Sequence, residues 1–239
     1  MTTVPLSMVG SSAGNGVAAL IRPGRGVVAC PVIVEGVLRR AAHADTPPTT
    51  APTATLRRVT APEITLLPPS AAGDIALVAA VSDLVNLVYA ESETGLWSGA
   101  VDRTTPAEVA GFVAAGEIAV ARLGGRLAGC VRVCRLADDT GEFGMLAASP
   151  EVRGTGLGRA LVAFAERHSR AAGHRRIQLE LLVPRDGTHP AKDFLARWYR
   201  RLGYEVVRTT TLDVDFPHLA PLLAVPCEFL VYHKDLTPA

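Results

Sequence analysis

The chain has almost no net charge: 24 Lys and Arg stand against 23 Asp and Glu, for a formal +1. Proteins that hold nucleic acid or anionic membrane non-specifically rely on an excess of basic residues, so neither is an expected partner and only a local basic patch remains open. Cysteine is scarce. The four present (Cys30, Cys130, Cys134 and Cys227) include no Cys-x-x-Cys pair, so no thiolate metal site is expected, and free thiols in a reducing cytoplasm are the simplest reading. Aromatics make up only 5% of the residues. Long apolar runs are also missing: the stretch 27–38 is interrupted by Glu35, and the one after Ile75 by Ser82, Asp83 and Asn86, so neither is expected to span a bilayer. No basic segment followed by an apolar core and a small-residue cleavage site is seen, which makes the expected location cytoplasmic.

With 239 residues the chain can bury a sizeable core. Residues 1–60 differ from the rest. Asp45–Thr53, rich in Pro and Thr, has the composition of a linker, so 1–60 are expected to be a poorly ordered or loosely attached extension and 61–239 the folded domain. Glu63–Leu67 reads as a strand. Asp74 is a candidate N-cap for a helix whose apolar residues Leu77, Val78, Val81, Leu84, Val85 and Val88 share one face. Glu91–Trp97 reads as a polar loop, and Thr105-Pro106-Ala107-Glu108 opens a second helix. From Glu117 the period changes to two: a hairpin turns at Gly124-Gly125 and a third antiparallel strand follows Asp138–Gly141. On the third of these strands' neighbours, Cys130 and Cys134 fall on one face. Arg176–Val183 alternates again, Pro190 begins a helix stopped by Gly203, and Tyr204–Leu212 and Cys227–His233 read as the last strands.

Between the hairpin and the third helix lies Met145–Val162, where a strand runs through Ser149-Pro150 and three glycines on alternate positions into a helix. Closely spaced glycines let backbone approach an anion, and a helix start offers unpaired N–H groups with the positive end of the dipole. The turn has no Lys, as a Walker A loop would require, and Arg159 stands where a dinucleotide fingerprint needs a small residue. No Gly-x-Ser-x-Gly elbow suggests a hydrolase.

The pattern Arg153-x-x-Gly156-x-Gly158 resembles the acetyl-CoA pyrophosphate loop of the GNAT superfamily of N-acyltransferases, and Trp198-Tyr199-Arg200-Arg201-Leu202-Gly203-Tyr204 is similar to the aromatic segment closing that family's last helix. The order of elements from about residue 62 to 236 matches as well. The resemblance implies an α/β (α+β) fold. Its sheet would be mixed but mostly antiparallel, six- to seven-stranded, flanked by four helices and splayed between the fourth and fifth strands, with the cofactor in the opening.

The resemblance also implies site residues. Leu146, Ala147 and Ala148 would contact pantetheine through their main chain. Gly154, Thr155, Gly156, Leu157, Gly158 and Arg159 would form the pyrophosphate loop, with Arg153 adding charge. Lys192 occupies a cofactor-contacting position where many relatives carry Asn. Tyr199 would protonate the leaving thiolate. Glu180, Glu142 and His189 are candidates for activating the amine, which must lose a proton before it can attack. The expected activity is direct acetyl transfer from acetyl-CoA, in a ternary complex and without a metal, to a primary amine of a small molecule or peptide. A homodimer is left open. The rival expectation is a non-catalytic acyl-CoA-binding or regulatory module of the same fold.

Overall fold

In the computed structural model, the described residues are 61–99 and 101–237; the expected extension over 1–60, with Cys30, lies outside them. The chain runs β1 (Glu63–Leu66), α1 (Ile75–Ser92), α2 (Pro106–Ala114), β2 (Ile118–Leu123), β3 (Arg126–Ala137), β4 (Thr140–Ala148), α3 (Leu157–Ala171), β5 (Arg176–Pro184), α4 (Pro190–Arg201), β6 (Glu205–Thr210), α5 (Leu212–Asp215) and β7 (Cys227–Asp235). The predicted caps are in place. Asp74 accepts from the Leu77 N–H, and Thr105 and Glu108 form a reciprocal capping box that satisfies two otherwise orphaned donors. The short α5 was not anticipated and lies within a segment read as loop.

One seven-stranded sheet, ordered β1-β2-β3-β4-β5-β7-β6, forms the centre. Only β4 and β5 are parallel neighbours; every other pair is antiparallel. Each face is covered separately. Val131, Val133, Phe143, Ile177, Leu179 and Leu181 pack with Leu161 of α3 and Leu195 of α4, whereas Ile118, Val120 and Cys130 pack with Val81 and Val85 of α1 and Val109 of α2. A third apolar cluster gathers Leu96, Leu182, Phe229 and the connection before β7, including Leu212, Phe216 and Leu219.

The apolar length of α1 exceeds the reading from its sequence. Over 18 residues its mean hydropathy is 1.5, long and apolar enough to cross a membrane by length and composition alone. Here it is a packed helix with Val78, Val81, Val85 and Val88 buried. The polar residues that seemed to interrupt it are partly used inward: Ser82 Oγ and Asn86 Nδ2 both donate to the Thr104 carbonyl, at 3.3 and 2.9 Å.

Candidate active site

The site is built on a fork in the sheet. β4 and β5 pair only over Thr140–Glu142 and Arg176–Gln178; beyond that, β4 has no β5 partner while β3 continues to pair with it as far as Ala148. The opposite edge of β4 therefore offers unpaired backbone groups to the opening, which a ligand must satisfy. Within this stretch two steps of β3, Cys130 to Arg132, face three steps of β4, Ala147 to Gly144. The extra residue is a β-bulge at Met145, whose φ of 47° is the only positive value of a non-glycine among the described residues. Its effect on side-chain direction is visible in the packing. Phe143 and Met145 are two apart yet join cores on opposite faces, and Leu146 and Ala148 then continue on the side of Phe143. Gly144 adjoins the bulge, but the positive φ falls on Met145, a residue type that gives no sign of it.

The glycine turn follows directly. Gly154 and Gly156 have φ of 78° and 86°, with open space where a Cβ would stand. Gly156 is the N-cap of α3 and offers no side-chain cap, and the first bond of the helix runs from the Ala160 N–H to the Gly156 carbonyl. The N–H groups of Leu157, Gly158 and Arg159 come before that bond, at the positive end of a 15-residue helix. This uncapped start, beside an unpaired strand edge, fits a pyrophosphate joined to an amide-bearing arm. Arg159 is exposed, while Arg153 is half-buried and paired with Glu91 at the end of α1.

Tyr199 of α4 is fully buried. Its ring lies 6.3 Å from Phe143, 5.0 Å from Trp198, 6.0 Å from Tyr204 and 6.1 Å from Tyr232 between centroids. This places it against the lower part of the fork, on the α3 and α4 side of the sheet.

On the other face stand Glu142 and Glu180, which alternation places opposite Phe143, Leu179 and Leu181. Both are buried, at 1% and 7% exposure. Gln178 joins them: its Nε2 donates to Glu180 Oε1 at 3.2 Å and to Glu142 Oε1 at 3.5 Å, and its Oε1 takes the His233 Nε2–H at 2.9 Å. Burial drives both carboxyls well above the usual carboxylate range; at Glu180 the adjacent Glu142 adds to the shift, and at Glu142 the Arg132 cation opposes it. Glu180 Oε2 is buried with no hydrogen-bond partner. Near neutral pH this pair retains a proton, and its one unpaired oxygen belongs to Glu180. Gln178 and His233 were not identified from sequence; the alternation on β5 puts Gln178 on the face of Glu180, but only the pairing with β7 reveals His233.

The segment Glu91–Trp97, which reads as a polar loop, begins within α1 and buries one of its glutamates. Glu93 is 4% exposed and accepts from Lys192 Nζ at 2.8 Å, Arg103 Nη2 at 3.1 Å and Trp97 Nε1 at 2.7 Å. Burial raises its pKa, but the two cations overcome that and hold the carboxyl below its ordinary value. Lys192, expected near the cofactor, has its ammonium in this ion pair, fully buried in the first turn of α4. His189 is the N-cap of α4: its Nδ1 accepts from the Lys192 N–H, leaving Nε2 to donate to the Thr94 carbonyl at 3.2 Å. Arg103 was not singled out from the sequence.

The thiols among the described residues are poor nucleophiles. Burial first of all pushes Cys130 and Cys134 up to about 12 and Cys227 to about 11, so none is a thiolate at neutral pH.

Residues 114–206, running from the end of α2 into β6, match the family model described as an acetyltransferase (GNAT) domain. No curated protein matches the chain. Among solved structures, the chain is similar to the Salmonella typhimurium protein yncA, solved with its cofactor acetyl-CoA, at 17% identity over 75% of this chain and 96% of that one, with a TM-score of 0.52. It is likewise similar to Mycobacterium tuberculosis Rv2747, solved with CoA, at 18% identity over 74% and 100% of the two chains and a TM-score of 0.51. Ard1 from Thermoplasma volcanium gives 14% identity over 75% and 100%, with a TM-score of 0.51. What is shared at these identities is the fold, with its mixed sheet flanked by helices. Residues 114–206 thus match an acetyltransferase (GNAT) domain, and the architecture around that stretch is the α/β fold of the GNAT structures it resembles.

Proposed function

We propose that the protein transfers an acetyl group from acetyl-CoA to a primary amine, directly and within a ternary complex. The observation that carries this reading is the fork, which has a phosphate-compatible helix start at its mouth, Tyr199 on one face and a buried carboxylate pair on the other. Acetyl-CoA, when bound, supplies an acyl thioester. Leu146, Ala147 and Ala148 hold its arm through the open edge of β4, and the N–H groups from Leu157 to Arg159 take the pyrophosphate, with Arg153 and Thr155 alongside.

Once the Glu180–Glu142 pair has given up its proton, Glu180 receives the proton of the incoming ammonium on its unpaired Oε2, directly or through one water, and frees the amine lone pair for attack. Backbone N–H groups beyond the bulge stabilise the negative charge developing on the carbonyl oxygen. As the C–N bond forms and the C–S bond breaks, Tyr199 gives its phenolic proton to the departing thiolate. The raised thiol pKa values support direct transfer over a cysteine acyl intermediate.

The test is to incubate the protein with acetyl-CoA and a panel of amino acids, peptides, polyamines and aminoglycosides, following free thiol. Thiol release that depends on the amine is expected; CoA binding with no such release for any amine would instead identify an acyl-CoA-binding module.

A further inference from the structure

The cations that act on Glu142 and Glu180 or on His233 have acidic partners of their own. Arg132 pairs with Glu117, Arg208 of β6 with Asp215 of α5, and Arg176 with Asp139, so each brings a compensating negative charge. Glu205, opposite His233 on β6, is exposed to water. Within the pair, Glu142 has both oxygens engaged: Oε1 accepts from Gln178 Nε2 at 3.5 Å and Oε2 from the Cys134 thiol at 3.9 Å. Glu180 has one engaged, Oε1, at 3.2 Å from the same Gln178 nitrogen. The state of the pair therefore turns on one amide.

The two ends of an amide have the same shape and opposite hydrogen-bonding character. Gln178 is buried, so both ends must find their partners in the protein. With Nε2 toward the glutamates, its two N–H groups stabilise ionised carboxyls. Turned over, Oε1 would meet their lone pairs, and only a carboxyl that keeps its proton could donate to it. The first orientation favours release of the proton held by the pair, the second its retention. What selects between them is the contact at the other end, where His233 Nε2–H donates to Gln178 Oε1 at 2.9 Å, the shortest of these bonds. The sheet sets His233 there, because it is the direct cross-strand partner of Gln178 in the register of β5 with β7. Burial first, and then Arg176, disfavour its cation against the pull of Asp139 and keep its pKa below the ordinary value. The ring is thus neutral from neutral pH upward, and with its one proton on Nε2 it can only donate to Gln178.

We propose that His233 is a positioning residue for the acetyl transfer: it holds the Gln178 amide with both N–H groups toward the glutamates, which leaves Glu180 Oε2 as the carboxyl oxygen of the pair that has no partner and takes the proton of the amine. This rests on the acetyltransferase reading with Glu180 as the base. No proton passes through His233. It acts through the amide alone, one residue removed from the base.

The experiment follows the glutamate carboxyls by NMR through a pH titration, in protein labelled with carbon-13 at those groups, for the wild type, His233→Phe, His233→Gln and Gln178→Leu. Alongside it, kcat/KM is measured against pH with the amine of the panel that releases thiol fastest. In His233→Phe the midpoints of Glu142 and Glu180 are expected to rise by about one pH unit, as for loss of a hydrogen bond to a charged group. Its kcat/KM should fall about tenfold near neutral pH and approach the wild type as pH rises, with the acetyl-CoA Kd unchanged. His233→Gln, which keeps an N–H donor, should restore most of both. Gln178→Leu should raise the midpoints at least as far, and adding His233→Phe to it should move them no further. Midpoints unmoved in His233→Phe would overturn the proposal, as would a loss of kcat/KM that is equal at every pH, the mark of a merely structural role. A further shift in the double variant would also overturn it, since His233 would then act on the pair without the amide. The titration needs no acceptor. Shifted midpoints with no thiol release from any amine would keep the hold of His233 on Gln178 and remove the acetyltransferase reading, whereas unmoved midpoints in a protein that turns over would do the reverse.

Discussion

At the scale of single residues, Tyr199 and Glu180 have opposite relations to their surroundings. Tyr199 is wedged among four aromatic rings, so Tyr199→Phe keeps the packing and removes one oxygen. Its turnover is expected to fall roughly a hundredfold, in the range of general-acid catalysis, with little change in acetyl-CoA Kd. Steady-state kinetics with parallel binding measurements would check this, and an unaltered kcat would remove Tyr199 as the acid. Tyr199 was legible because it stands inside a local aromatic motif. Glu180 and Glu142 were legible only as charged residues on strands. Their partnership depends on Gln178 and His233, and hence on a register between β5 and β7 that no local pattern encodes. Glu93 was misread for a related reason: a loop glutamate looks solvated until tertiary contacts bring Lys192, 99 positions away, onto it.

At the scale of elements, the boundaries were easy to read where capping chemistry is local, as at Asp74, Thr105 and Gly203. The bulge in β4 was not, because its positive φ falls on Met145 rather than on a permissive residue. Two glycines separate binding from stability here. At Gly156 an added Cβ would meet nothing within 4 Å, so Gly156→Ala bears only the strain of its φ of 86°, about 1–2 kcal/mol. The methyl would also intrude where phosphates must approach, so the expected result is a raised acetyl-CoA Kd with a modest fall in Tm. At Gly129 a Cβ would lie 2.8 Å from the Ala147 carbonyl oxygen and 3.0 Å from Leu161 Cδ1. Backbone cannot move aside there without shifting β3 against the bulged strand. Gly129→Ala should therefore lower Tm much more than Gly156→Ala does, as a thermal melt of the two variants would show. A larger Tm loss at Gly156 would contradict the assignment of strain.

At the scale of the molecule, the likeness in the order of elements implied a mixed, mostly antiparallel sheet splayed between the fourth and fifth strands; neither it nor the alternation says that β7 inserts between β5 and β6. That insertion has a thermodynamic consequence, because it brings His233 onto Gln178 beside the carboxylate pair and helps to enclose it. In the unfolded chain both glutamates titrate near the ordinary carboxylate value, about 4.3. In the folded protein their pKa values are raised, so between those limits the folded state binds more protons than the unfolded one. Stability must then fall as pH rises across that interval: this contribution is fully present below the unfolded value and lost through the folded ones. Glu93 acts in the opposite sense. Its pKa is lowered on folding, so its contribution is present above the ordinary value and lost as pH falls through the folded one. Glu180→Gln removes one of two buried charges that repel at alkaline pH while keeping a side chain able to hydrogen-bond. Its Tm is expected to match or trail the wild type at pH 5 and to exceed it at pH 9, and its kcat/KM to be low at every pH without the alkaline rise that deprotonation of the pair gives the wild type. A difference in Tm between variant and wild type that stays constant from pH 5 to pH 9 would show that Glu180 holds no shifted proton in the folded protein.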